Sequence, residues 1–97
     1  MKIIWSPKAI QRLEEIFDYI SLESPANAHK FTDEIFNKIE ILIDFPNAGR
    51  IVPELNNEKY RELIHGNYRI IYSILKNQIH ILAIRHSKRL FDENEIN

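Results

Sequence analysis

A chain of 97 residues, 44% hydrophobic and 28% charged, has the make-up of a folded protein with room for one core. It contains no cysteine, which excludes a disulfide scaffold and a thiolate metal centre. The net charge of −1 hides an asymmetry: residues 1–58 hold six Lys/Arg against ten Asp/Glu, residues 59–89 hold seven against one, and residues 90–97 hold three acids and no base.

Residues 2–5 form a short apolar run that reads as a strand. Ser6 is a good N-cap and Pro7 suits the first helical position, where its missing N–H costs nothing. Ile10, Leu13, Phe17 and Ile20 then recur at three- and four-residue spacing, which predicts a helix over about 7–22 with these residues on its buried stripe. Ser24-Pro25 repeats the start signal. A second helix is expected to about Asp44, with Phe31, Ile35, Ile39 and Leu42 on its stripe and Phe36 and Ile43 widening it. The short link makes the two helices a hairpin.

Pro46, Gly49, Pro53 and Asn56-Asn57 punctuate residues 46–57, which read as a loop. From Tyr60 the period changes. Residues 60–64, 68–75 and 78–85 read as strands, joined by His65-Gly66-Asn67 and by Lys76-Asn77. Links this short make an antiparallel meander. The expected fold is therefore α+β, ordered β-α-α-β-β-β in one domain over 1–97, with the helices on one face of one sheet and 90–97 as a short acidic tail.

The later strands are apolar on both faces. Strict alternation sets Tyr68, Ile70, Tyr72 and Ile74 against Arg69, Ile71, Ser73 and Leu75, and His80, Leu82 and Ile84 against Ile79, Ile81 and Ala83. One layer of helices buries only one face. The other needs a cover: a partner segment, a second copy, or the 46–57 loop with the C-terminal tail. The basic third points to an anionic partner, nucleic acid or an acidic protein segment, or else to a solvated sheet face balanced by acidic helices. No apolar run approaches the roughly 20 residues of a membrane helix. The N-terminal run is too short to read as a signal peptide, so a cytoplasmic protein without membrane contact is expected.

Trp5-Ser6-Pro7-Lys8-Ala9, Phe45-Pro46-Asn47-Ala48-Gly49-Arg50, Tyr60-Arg61-Glu62-Leu63, Asn67-Tyr68-Arg69-Ile70-Ile71-Tyr72 and Ile81-Leu82-Ala83-Ile84-Arg85-His86-Ser87-Lys88-Arg89 together resemble the RelE/ParE superfamily of toxins. The resemblance runs from about residue 2 to residue 90. It rests on the order and spacing of these segments, not on any one motif. It implies the toxin of a type II toxin–antitoxin pair, with a cognate antitoxin as partner. RelE-like members cleave mRNA on the ribosome, whereas ParE-like members poison DNA gyrase. The long helix pair and the Pro-Asn-Ala-Gly-Arg loop look more like ParE. So does Glu62, which stands where the RelE-like branch tends to carry lysine. The last strand departs from the ParE-like pattern, since His86 is followed by Ser87 and not by glycine.

RNA cleavage through the 2′-hydroxyl needs a base, positive charge on the phosphate and an acid for the leaving oxygen. The residues available for this are Arg69, Arg85, Lys88 and Arg89 for the phosphate, His86 as acid or base, and Glu62 or Glu54 as base. A nuclease site would consist of Arg69, His86 and Glu62. A surface for target or antitoxin would draw on Arg61, Arg69, Ile71, Arg85, His86, Lys88 and Arg89. Each has a structural alternative: Arg69 and Glu62 as an ion pair, His86 and Lys88 as a solvated strand end. Neither a metal site nor a cofactor motif is expected. Three functions follow: a gyrase inhibitor, a ribosome-dependent mRNA endonuclease, or an inactive relative that only binds antitoxin.

Overall fold

The computed structural model describes residues 1–87, so Lys88, Arg89 and the 90–97 tail lie outside the described residues. The elements are β1 (Lys2–Trp5), α1 (Pro7–Ser21), α2 (Pro25–Asp44), β2 (Arg50–Ile51), β3 (Tyr60–His65), β4 (Tyr68–Leu75) and β5 (Gln78–His86). They match the expected α+β order, with one addition. Arg50 and Ile51, expected in a loop, pair with Glu62 and Arg61 and add a fifth strand. Two residues are too few for a periodic signal, and this strand depends on contacts distant in sequence.

Both helices start as their sequences dictate. Ser6 Oγ accepts from Ala9 N at 3.0 Å, and Ser24 Oγ accepts from Asn27 N at 3.1 Å, each followed by proline at the first helical position. The sheet order is β1-β5-β4-β3-β2, with β1 parallel to β5 and every other pair antiparallel.

The main core lies between the helices and one sheet face. It contains Leu13, Ile16, Ile35, Ile39, Ile70 and Tyr72, among others. The stripes differ from expectation in detail. Ala9, Leu13 and Ile16 are the buried residues of α1, whereas Ile10 stays 45% exposed. Phe36 and Ile43 do not widen the buried stripe of α2 and stand at its exposed margin. Phe36 instead packs edge-on against Trp5, with ring centroids 5.5 Å apart.

A second, smaller core covers the other sheet face. Val52 is fully buried there, with Leu55 packed alongside, against Tyr60, Ile71 and Ala83. The apolar second face is thus covered over its centre by the chain's own 52–55 segment.

Strict alternation fails once, in β5. Ile71 pairs with Ala83 but Tyr72 pairs with Ile81, so Leu82 is an extra residue in a β-bulge. Ser6 sits at the bulge. Its N–H donates to Ile81 O at 2.9 Å and its Oγ donates to Leu82 O at 3.0 Å. Two successive carbonyls therefore face the same neighbour, which regular pleating forbids. Beyond the bulge every side chain changes face. Ile84 joins the main core and Ala83 the second, the reverse of strict alternation.

Candidate functional site

The sheet face under the 52–55 segment carries the densest cluster of charge. Glu62 and Ile71 are opposite each other across β3 and β4, and Arg69 and Arg85 across β4 and β5. Opposed residues share a face, so all four point to the same side. Arg69 is only 4% exposed and Glu62 1%. Burial this deep is stable for a charge only when it is paired and hydrogen-bonded.

The pairing is extensive. Arg69 Nε donates to Glu62 Oε1 at 2.7 Å, and Nη2 lies 2.6 Å from the same oxygen. Nη1 donates to Glu54 Oε2 at 2.5 Å and Nη2 to Glu54 Oε1 at 2.7 Å, a bidentate fork. Glu62 Oε2 accepts from Arg50 Nε at 2.6 Å. Glu62 thus bridges a buried arginine to one on the short outer strand. The hydrogen bonds from Arg69 hold the Glu54 carboxyl below its ordinary value of 4.5, and the bonds to Glu54 hold the Arg69 guanidinium above its own.

The 46–49 turn is fixed by Tyr72. Its hydroxyl donates to Pro46 O at 2.7 Å and accepts from Gly49 N at 2.9 Å. Burial raises the Tyr72 pKa above its ordinary 10.0, which keeps the phenol neutral and able to donate. Arg61 Nη1 donates to Gly49 O at 2.9 Å. A Cβ on residue 49 would lie 2.6 Å from the Glu62 carbonyl oxygen and 2.7 Å from the Tyr72 ring, so the position has no room for a side chain.

The residues singled out from the sequence fall on two faces. Arg69, Glu62, Ile71 and Arg85 share the face under the 52–55 segment. Arg61 lies opposite Tyr72 and His86 opposite Tyr68, both on the helix-bearing face. The His86 ring packs edge-on against Tyr68, with centroids 5.7 Å apart. The nuclease constellation is therefore half assembled: Arg69 and Glu62 meet, and His86 is on the other side of the sheet. The bulge at Leu82 is the cause, because without it His86 would face the side of Arg69. Ile71, expected at a binding surface, has no exposure, since Val52 and Leu55 cover it. Lys88 and Arg89 lie outside the described residues. Sequence reasoning missed Arg50, Tyr72 and Gly49. Tyr72 reads as one more apolar strand residue, and only its hydroxyl could have signalled a need for a partner. Among the described residues no group of three or more His, Cys, Asp or Glu could hold a metal ion, and no helix is long and apolar enough to cross a membrane.

Comparison with known proteins gives the lineage. Residues 3–91 match a family model described as "ParE toxin of type II toxin-antitoxin system, parDE". The chain is 30% identical over 90 residues to Toxin RelE2 of Caulobacter vibrioides, covering 92% of this chain and 98% of that one. It is similar in structure to a chain of the chromosomal ParDE TA system from P. aeruginosa, with a TM-score of 0.74 and 25% identity, covering 91% of this chain and 97% of that one.

Proposed function

Because the chain belongs to the ParE toxin family of type II toxin–antitoxin systems, we propose that it arrests growth by gripping a protein target, DNA gyrase, and that a cognate antitoxin neutralises it in the cytoplasm. The carrying observation is the separation of His86 from Arg69 and Glu62. General acid–base cleavage needs donor and acceptor within hydrogen-bond reach of one reacting group, and groups on opposite sheet faces do not meet that condition. The state of Arg69 supports the same reading. Its fork is bound to Glu54 and Glu62, so its charge is already matched by two carboxylates. A phosphate would have to displace them.

The test is induction of the chain in a bacterial host, with the DNA damage response and mRNA integrity followed in parallel. Growth arrest with a damage response and intact mRNA is the expected result. Arrest with cut, ribosome-associated mRNA would replace the gyrase reading with that of an endonuclease. Normal growth in hosts whose gyrase binds the purified chain would identify an inactive relative.

A further inference from the structure

α2 closes in a turn that is pinned at several points. Ala48 N donates to Phe45 O at 3.0 Å, the Tyr72 hydroxyl ties Pro46 O to Gly49 N, and Arg61 Nη1 reaches Gly49 O from β3. Backbone contacts fix this turn, and its side chains are left outside. Phe45 is 66% exposed, Ile41 one helical turn earlier is 52% exposed, and Asn47 is exposed as well. An aromatic ring held in water on a rigid turn has the character of a contact residue.

Beside the turn lies a hollow of about 220 Å³, lined by Asn47, Lys59, Arg61 and Ile74 among others. It sits at the end of the sheet, where β4 runs on past the Tyr60–Ser73 pair with Ile74 and Leu75. Neither of its cations has a counter-ion among the described residues. Lys59 Nζ stands over the Tyr60 ring, 5.4 Å from the centroid. The partly buried Arg61 guanidinium gives an N–H to Gly49 O and has no other hydrogen-bond partner among the described residues. Glu58 is the one carboxylate among the described lining residues, and no ion pair joins it to either cation. Arg50 and Arg69, by contrast, are matched by Glu62 and Glu54.

We propose that this hollow binds a side-chain carboxylate of a protein partner, held by Arg61 and Lys59, with apolar side chains next to that carboxylate resting on Phe45 and Leu75. It goes beyond the toxin reading and holds whichever protein the chain grips. A guanidinium fixed at one point by a backbone carbonyl keeps its other N–H groups in a set direction, so little further freedom is lost when a carboxylate arrives. Partial burial of Arg61 makes such a pair stronger than one between fully exposed charges. The apolar rim decides the class of partner. Phe45, Ile41 and the 52% exposed Leu75 suit a protein surface and offer nothing to a sugar-phosphate backbone. Nucleic acid also favours an extended track of cations. Here the neighbouring charges interrupt one: Asp44 precedes the turn, Glu58 lines the hollow, and Arg50 is bound to Glu62.

The test uses the full chain, isotopically labelled, titrated with a capped leucine-aspartate-leucine tripeptide, with its asparagine counterpart and with inorganic phosphate. The aspartate peptide should shift amide and guanidinium signals of residues 45–49, 58–61 and 73–75. The asparagine peptide should bind about fivefold more weakly or worse, because it loses the charge-assisted pair. Arg61→Lys should weaken the aspartate peptide by about the same factor, since an ammonium has no fork. Lys59→Gln touches none of the hydrogen bonds of the turn, so it reads the site even if Arg61→Lys loosens the fold. It should weaken binding about threefold at low ionic strength and less in salt. Lys30→Gln, on a side chain of α2 that is 76% exposed, should leave binding unchanged. Equal binding of the two peptides, the absence of shifts at these residues, or full affinity in both Arg61→Lys and Lys59→Gln would overturn the proposal. Phosphate binding tighter than that of the aspartate peptide at the same residues would overturn it too, and would mark a general anion site.

Discussion

Arg69 on β4 and Glu54 in the loop before β3 form a two-pronged ion pair that ties that loop to the middle of the sheet. Glu62 holds the same guanidinium from β3, and Arg50 holds Glu62 from β2. Charge, loop closure and the outer strand thus depend on one buried side chain. The cluster also explains why a residue that reads as an anion receptor is not presented as one.

Removal of Arg69 should therefore act on stability. Arg69→Ala leaves Glu62 buried beside Arg50 alone, and breaking a buried pair from one side costs about 3–5 kcal/mol. Arg69→Lys should recover little of this, because an ammonium cannot make the fork to Glu54. Urea unfolding of the two variants checks both expectations. A variant as stable as the parent would show that the network contributes nothing net.

Acid should loosen the same loop. The carboxyl of Glu54 titrates lower in the folded chain than in the unfolded one, so its contribution is fully present above the ordinary value of 4.5 and is lost as pH falls through the lowered folded value. Glu54→Gln should flatten that part of the stability profile. Thermal midpoints taken from neutral pH downwards would show the difference, and parallel profiles for parent and variant would count against it.

Tyr72 and Gly49 should fail together. Tyr72→Phe leaves the buried Gly49 N–H without its acceptor and Pro46 O without its donor, at a cost of about 1–3 kcal/mol. Gly49→Ala places a methyl against the Glu62 backbone and the Tyr72 ring, an overpacking cost of about 1–3 kcal/mol. Since both act on one contact, the double variant should cost less than the two singles added. Additive losses in a double-mutant cycle would show that they are independent.

The β4–β5 turn has room for improvement. Lys76 and Asn77 both adopt positive φ, 52° and 60°, as a two-residue hairpin turn of type I′ requires. Lysine is a poor choice there. Lys76→Asn with Asn77→Gly should stabilise the chain by about 0.5–1 kcal/mol, because both new residues enter that region at lower cost. A fall in the urea midpoint would mean that the lysine makes a contact worth more than its strain.

The element order and most boundaries were legible because they rest on local signals. Ser-Pro starts two helices, and Lys76-Asn77 turns one hairpin. The fold class followed from the change of period at Tyr60. The second core was foreseen only as a need for a cover, because nothing in Val52 and Leu55 by themselves says which surface they will meet.

The candidate site was less legible, and the reason lies in one residue. Pairing by alternation would set His86 beside Arg69, yet the extra residue at Leu82 puts them on opposite faces. At that bulge β1 has ended at Trp5, and Ser6 takes two successive carbonyls of β5. No local preference of Leu82 announces it. The sequence by itself determined the helices, the meander, the family and the basic strands. Only the tertiary structure decided which cations stay at the surface, because a strand's register is set by its neighbours and a shift of one residue exchanges its faces.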